Sequence, residues 1–123
     1  MLSEAEDVAK LLLCVSSYVF KGLKSYFPGL DAFFMLNLRS IGLEPETALL
    51  FDPETYLRTL IQILGNTERA RQVLTVALPK RKAFQELIQV ILSRPSREEL
   101  EGAVLAIVRK YSKDIEKECS EIV

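Results

Sequence analysis

Residues 52–65 read Asp-Pro-Glu-Thr-Tyr-Leu-Arg-Thr-Leu-Ile-Gln-Ile-Leu-Gly, and this stretch indicates the fold class of the chain. The carboxylate of Asp52 can accept hydrogen bonds from the unpaired N–H groups of a first helical turn, and Pro53 suits the first helical position. Glu54 complements the positive end of the helix dipole. Apolar side chains then recur at helical spacing until Gly65 ends the pattern. The segment therefore predicts an amphipathic helix with both ends defined.

The same chemistry recurs on both sides of this segment. Ser3 with Glu6 and Ser96 with Glu99 each have the spacing of a capping box. Proline and glycine separate the apolar runs, as at Pro79. We further expect Asp31 and Thr67 to cap helices and Gly42 to end one. Together these signals predict helices over residues 4–27, 32–41, 45–50 (a short turn), 53–64, 68–78, 80–93 and 97–121.

Composition supports one helical domain over residues 1–123. The chain has 49% apolar and 27% charged residues, which is typical of a globular protein. A chain of this length can bury one hydrophobic core without metal or disulfide. No stretch alternates with period two, so no sheet is expected. We predict an all-α fold: a compact single-domain bundle of five or six helices, partly orthogonal.

The chain lacks the residues that several classes of protein function usually require. The chain has no histidine and only two cysteines, and it carries no phosphate-binding loop or nucleophile motif. We therefore expect no cofactor, no metal and no enzyme activity. The apolar run 8–20 contains Lys10 and is too short to cross a membrane, so no membrane partner is expected. The acidic N-terminus does not resemble a secretory signal, which favours a cytoplasmic location. Few Met and Asn residues suit a thermophile.

Positive charge is concentrated in the middle of the chain. Residues 66–97 carry seven basic and two acidic groups, a net charge of +5, while both flanking segments are acidic. One interpretation is a nucleic-acid or phosphate site, with the second helix of a helix-turn-helix near residues 68–78. The alternative is a solvated face that pairs with the acidic ends. The candidate contacts are Arg69, Arg71, Lys80, Arg81, Lys82, Arg94 and Arg97.

The first predicted helix is apolar on more than one face. It is either a central helix that the other helices bury or a dimer seam with near-heptad spacing. The candidate seam residues are Leu11, Leu12, Val15, Tyr18 and Val19. A second apolar run, Phe33-Phe34-Met35, is suited to the core, to a partner groove or to the wall of a lipophilic pocket.

Two smaller sets of residues have competing interpretations. Cys14 and Cys119 approach each other if the terminal helices pack antiparallel, but cytosolic disulfides are rare, so we expect two buried free thiols. Four carboxylates cluster in sequence and can serve acid–base chemistry or a hard cation. Each also lies where a helix N-terminus favours negative charge, and we expect this structural role for them. They are Glu44, Glu46, Asp52 and Glu54.

Three patterns in the middle of the chain resemble a known family. They are Leu36-x-Leu38-Arg39-Ser40-x-Gly42-Leu43, then Asp52-Pro53-Glu54-x-Tyr56-x3-Leu60-x2-Ile63-Leu64-Gly65, then Ala70-x2-Val73-Leu74-x2-Ala77-Leu78. This arrangement is similar to a small archaeal helical domain family of unassigned function, whose members typically read Pro-Glu-x-Phe, then Phe-Gly-x-Gly-Ala, then Ile-x3-Leu. The likeness covers residues 36–78 and departs after Gly65, where the family has Gly-x-Gly-Ala. The resemblance implies an archaeal source and a helical domain, and no functional residues.

These observations favour a non-enzymatic protein–protein interaction or regulatory module. Its expected partner is another protein or a second copy of itself, as a homodimer, because the helices carry more apolar surface than a small monomer needs. Two alternatives remain open: nucleic-acid or phosphate binding through the basic segment 66–97, and binding of a small apolar ligand in a helical cavity.

Overall fold

Side-chain caps begin α4, α5 and α7 in the computed structural model, which describes residues 4–120. Asp52 accepts a hydrogen bond from the Thr55 N–H at 3.2 Å. Ser96 and Glu99 form the reciprocal capping box. Eight helices and no strand are present in this range: α1 Glu4–Tyr26, α2 Leu30–Ser40, α3 Ala48–Phe51, α4 Pro53–Leu64, α5 Thr67–Ala77, α6 Lys82–Leu92, α7 Arg97–Lys110 and α8 Ser112–Cys119.

The all-α prediction is confirmed, but the prediction of five or six helices was wrong. The described residues form eight helices, since the segment predicted as 97–121 divides into α7 and α8. At the division, the backbone of Tyr111 (φ −125°, ψ 36°) is not helical. The break allows α8 to pack against both α1 and α7. The capping box predicted at Ser3 lies outside the described residues.

Some predicted helix ends move by one to three residues. The side chain of Asn66, and not Thr67, caps α5 by accepting from the Arg69 N–H at 2.8 Å. Helix α2 begins before Asp31, with Gly29 at its N-terminus. Helix α6 begins at Lys82 and not at residue 80, because Arg81 has an extended backbone. Gly42 and Gly65, at the ends of α2 and α4, have positive φ as the sequence predicted.

Helix α1 lies at the centre of the fold. It contacts α2, α3, α5, α7 and α8, and its long apolar sequence is therefore covered by the chain's own helices. Its buried residues join one hydrophobic core with residues from the other helices. Aromatic rings stack across this core, with the Phe34 and Tyr56 ring centroids 5.1 Å apart in an edge-to-face arrangement.

Candidate interaction surface

Helices α1 and α5 approach closely at one point and leave an open groove beside it. Gly22 of α1 faces Ala77 of α5, and the missing side chain of the glycine is what permits the approach. The groove has a volume of about 610 Å³. We call it the α1–α5 groove, and it is lined by Tyr18, Lys21, Gly22, Ser25, Tyr26, Gln72, Val73, Val76 and Ala77.

The floor and rim of the α1–α5 groove differ in exposure. Val73 on its floor is buried, whereas the Val76 side chain on its rim is 80% exposed and Tyr26 is 55% exposed. Lys21 is the one charged residue among those that line the groove, and its Nζ lies 5.9 Å from the Tyr18 ring centroid. The groove therefore combines an apolar surface with a single positive charge.

The sequence did not point to this groove. Val76 lies off the inward face of α5, which comprises Ala70, Val73, Leu74 and Ala77. An apolar residue at such a position was the available signal, but single exposed apolar residues are ordinary on protein surfaces. The groove exists because two helices distant in sequence pack at Gly22, and periodicity within one helix does not reveal that contact.

The predicted dimer seam is not at the surface. Leu11, Leu12, Val15 and Val19 are each at most 1% exposed within the chain itself. The interpretation of α1 as a seam is corrected, because its neighbouring helices already cover these four side chains. Tyr18 is half-buried and lines the α1–α5 groove instead.

Further exposed apolar side chains lie on α2 and in the segments that flank it. Phe27, Phe33, Leu36 and Ile41 are each more than half exposed. Phe33 and Leu36 are neighbours on the outer face of α2, opposite the buried Phe34. Of the predicted run Phe33-Phe34-Met35, the middle residue alone is fully buried.

The predicted basic site is divided by ion pairs with the chain's own carboxylates. Arg81 Nε lies 2.7 Å from Glu118 and its Nη1 lies 3.7 Å from Asp114, both on α8. The hydrogen bond from Arg81 to Glu118 is the main reason why the pKa of Arg81 is raised. Two further pairs join Arg71 with Glu68 and Arg97 with Glu101.

The remaining basic residues lie on several elements. Arg69 on α5 donates weakly to the Leu64 carbonyl at 3.4 Å. Lys80 lies before α6, Lys82 opens it, and Arg94 follows it, all three exposed. The structure thus places the seven candidates on α5, α6, α7 and their connections. Pairing with the acidic ends, the alternative interpretation, is seen for Arg81 and Arg97, whereas Arg71 pairs with Glu68 inside the basic segment.

Cys14 and Cys119 form a disulfide, and the expectation of two free thiols was wrong. Their Cα atoms are 5.6 Å apart because the break at Tyr111 turns α8 back onto α1. Tyr18 donates a hydrogen bond to the Glu118 carbonyl at 2.8 Å beside the bond. The expectation of free thiols rested on the rarity of disulfides in cytosolic proteins.

The four clustered carboxylates do not form a site. Asp52 is engaged by both the backbone N–H and the hydroxyl of Thr55. Glu54 lies in the first turn of α4. Glu44 and Glu46 are exposed in the turn before α3. Among residues 4–120, no three His, Cys, Asp or Glu residues are grouped so that they could hold a metal ion.

Two buried hydroxyl groups face each other in the core. Burial raises the pKa of Tyr56 far above its usual value, and the nearby Ser16 hydroxyl offsets this slightly. The geometry between them is not that of a good hydrogen bond, and neither hydroxyl has another partner among the described residues. Burial therefore favours the neutral phenol of Tyr56 over the phenolate.

Comparison with known proteins gives no relative: no family model, no curated protein and no solved structure matches this chain. None of the helices over residues 4–120 combines the length and apolar character needed to cross a lipid bilayer.

Proposed function

We propose that this chain is a non-enzymatic protein–protein interaction module that binds a partner protein in the α1–α5 groove. The observation that carries the proposal is the exposed Val76 beside a groove of about 610 Å³ with an apolar floor. Apolar side chains that are left uncovered next to a concave surface are typical of binding sites.

The chemistry of the groove favours an amphipathic helix as its occupant. Two neighbouring helices form a trough that a third helix can fill with apolar side chains at positions i, i+3 or i+4, and i+7. Lys21 supplies the only charge among the lining residues, and it is positive. A partner helix with acidic residues beside its apolar face is therefore complementary in both shape and charge.

The test is selection of helical peptides from a phage-displayed library against the purified, oxidised protein. We expect enriched peptides to carry apolar residues at helical spacing with Asp or Glu beside them. Val76→Asp should weaken the best peptide more than about tenfold, because it places a carboxylate at the rim of an apolar contact. Lys21→Glu should weaken the acidic peptides and spare neutral ones.

The matched control is Leu36→Asp, which adds the same charge at another exposed apolar position, on α2. It should leave peptide affinity unchanged. Peptides that bind wild type and Val76→Asp equally would show that the groove is not the site. Light scattering could instead show that the wild-type protein is a dimer and that Val76→Asp dissociates it. The occupant of the groove would then be a second copy of this chain and not a partner helix. Binding of the apolar dye anilinonaphthalene sulfonate at Val76, without peptide enrichment, would favour a small-ligand site and contradict the proposal.

A further inference from the structure

Helix α8 is attached to the rest of the fold by few interactions. It has eight residues, and Cys119 is the only one of them that is buried. An isolated helix of this length is not stable in water, so its conformation depends on what it contacts. The other members of the hydrophobic core end at Ile107, within α7. The core of α1 to α7 is therefore nearly complete without α8.

Ile115 of α8 is partly buried and packs against the hydrophobic core. Three further kinds of attachment hold the helix. The disulfide joins Cys119 to Cys14 on α1. The hydroxyl of Tyr18 donates to the Glu118 carbonyl at 2.8 Å. Arg81 pairs with Glu118 and with Asp114, and these side chains are each about one quarter to one third exposed. Partly exposed ion pairs and one hydrogen bond stabilise little by themselves, so the disulfide is the dominant attachment.

The two cysteines of the disulfide differ in exposure. Cys14 is completely buried, whereas Cys119 is 5% exposed and lines a cavity of about 360 Å³. This cavity lies between the start of α1 and the end of α7 with α8. Besides Cys119, it is lined by both polar and apolar residues: Asp7, Lys10, Val108, Ser112, Ile115, Glu116 and Ser120. A small thiolate can approach the Cys119 sulfur through this cavity, while the core protects Cys14 from direct attack.

We propose that the Cys14–Cys119 disulfide is a redox-sensitive latch whose reduction releases α8 while α1 to α7 stay folded. A dithiol reductant attacks Cys119 Sγ as its thiolate, the S–S bond breaks, and Cys14 leaves as a thiolate that takes up a proton. The second thiolate of the reductant then attacks the mixed disulfide. Cys119 is released as a thiol, and the reductant, which has given two electrons to the protein, leaves as a disulfide.

Release of α8 changes the surface of the folded part. The carboxylates of Asp114 and Glu118 leave Arg81, which follows the exposed Lys80 and precedes Lys82. The cover over Cys14 on α1 is also removed. The reduced protein therefore presents a more basic surface than the oxidised protein, and it also presents a newly exposed thiol.

Hydrogen–deuterium exchange with mass spectrometry tests the latch on the full chain, oxidised and after treatment with dithiothreitol. Amides of residues 112–119 should exchange more than about tenfold faster in the reduced protein, while those of α1 and α4 to α7 keep their protection. The Cys14→Ser/Cys119→Ser double variant should reproduce the reduced pattern without reductant.

Two results would overturn the proposal. Unchanged exchange in α8 after reduction would show that non-covalent contacts are sufficient to hold it. Loss of protection throughout the chain would show that the disulfide holds the whole fold and not one helix. Alkylation of two thiols per chain confirms that reduction is complete. If the double variant does not fold, the reduced wild-type protein alone decides between these results.

Discussion

Gly22 of α1 and Ala77 of α5 pack so closely that a β-carbon on residue 22 would overlap the Ala77 methyl group. Gly102 on α7 offers a direct comparison, since it is also helical but has open space around its missing side chain. Replacement by alanine should therefore change the free energy of unfolding in opposite directions at the two positions.

Gly22→Ala should lower the free energy of unfolding by about 1–3 kcal/mol, because the helices must move apart to admit the methyl group. Gly102→Ala should raise it by about 0.4–1 kcal/mol, since alanine restricts the unfolded chain without meeting a neighbour. Urea denaturation followed by circular dichroism measures both. Equal effects at the two positions would show that the α1–α5 contact is not close in solution.

Two tyrosines make a second matched pair. Tyr18→Phe should lower stability by about 0.5–1.5 kcal/mol, because it removes the hydrogen bond to the Glu118 carbonyl. Tyr56→Phe should be nearly neutral or slightly stabilising, since its buried hydroxyl has no good hydrogen bond to lose. Thermal unfolding of both variants gives the comparison, and a larger loss at Tyr56 would mean that Ser16 is a true partner.

The capping box of α7 predicts a pH effect. The backbone N–H and the hydroxyl of Ser96 lower the pKa of Glu99. The charged carboxylate then stabilises the folded state at pH values above the unfolded pKa of about 4.3, and this contribution is lost as the pH falls through the lower folded pKa. Glu99→Gln should lower the free energy of unfolding at neutral pH. The variant should also lose less stability than the wild type as the pH falls from about 5 to about 2. Melting temperature measured against pH for the wild type and for Glu99→Gln tests this, and parallel curves for the two proteins would contradict it.

The disulfide closes a loop with a sequence separation of 105. A link over a loop of this size restricts the unfolded chain, so Cys14→Ser/Cys119→Ser should lower the free energy of unfolding by about 2–5 kcal/mol. Guanidinium denaturation of the double variant and of oxidised wild type measures the difference. Cys119→Ser alone should match the double variant, and equal stability of wild type and variant would show that the bond does not form.

Local chemistry made parts of this fold predictable. The roles of Asp52, Gly42 and Gly65 follow from residues a few positions apart, and the structure confirms them. The break at Tyr111 was missed because no proline or glycine marks it. It depends on the position that α8 takes on α1, which is a contact between opposite ends of the chain.

The interaction surface was less predictable for a related reason. Apolar periodicity in α1 shows that its faces are covered, but it does not distinguish the chain's own helices from a second copy. Val15 and Val19 are covered by the chain itself. The groove at Val76 arises where α1 and α5 meet, and the ion pair of Arg81 with Glu118 joins residues far apart in sequence. Such features depend on tertiary packing, which one sequence pattern does not contain.

The covalent link from α1 to α8 also determines how the chain responds to mechanical tension. A pull between residues 4 and 120 passes along the start of α1, across the sulfur–sulfur bond and out through Cys119. Helices α2 to α7 lie inside the closed ring and outside this load path. The oxidised protein can therefore lengthen only in the few residues outside the ring, whereas reduction also places α2 to α7 in the load path.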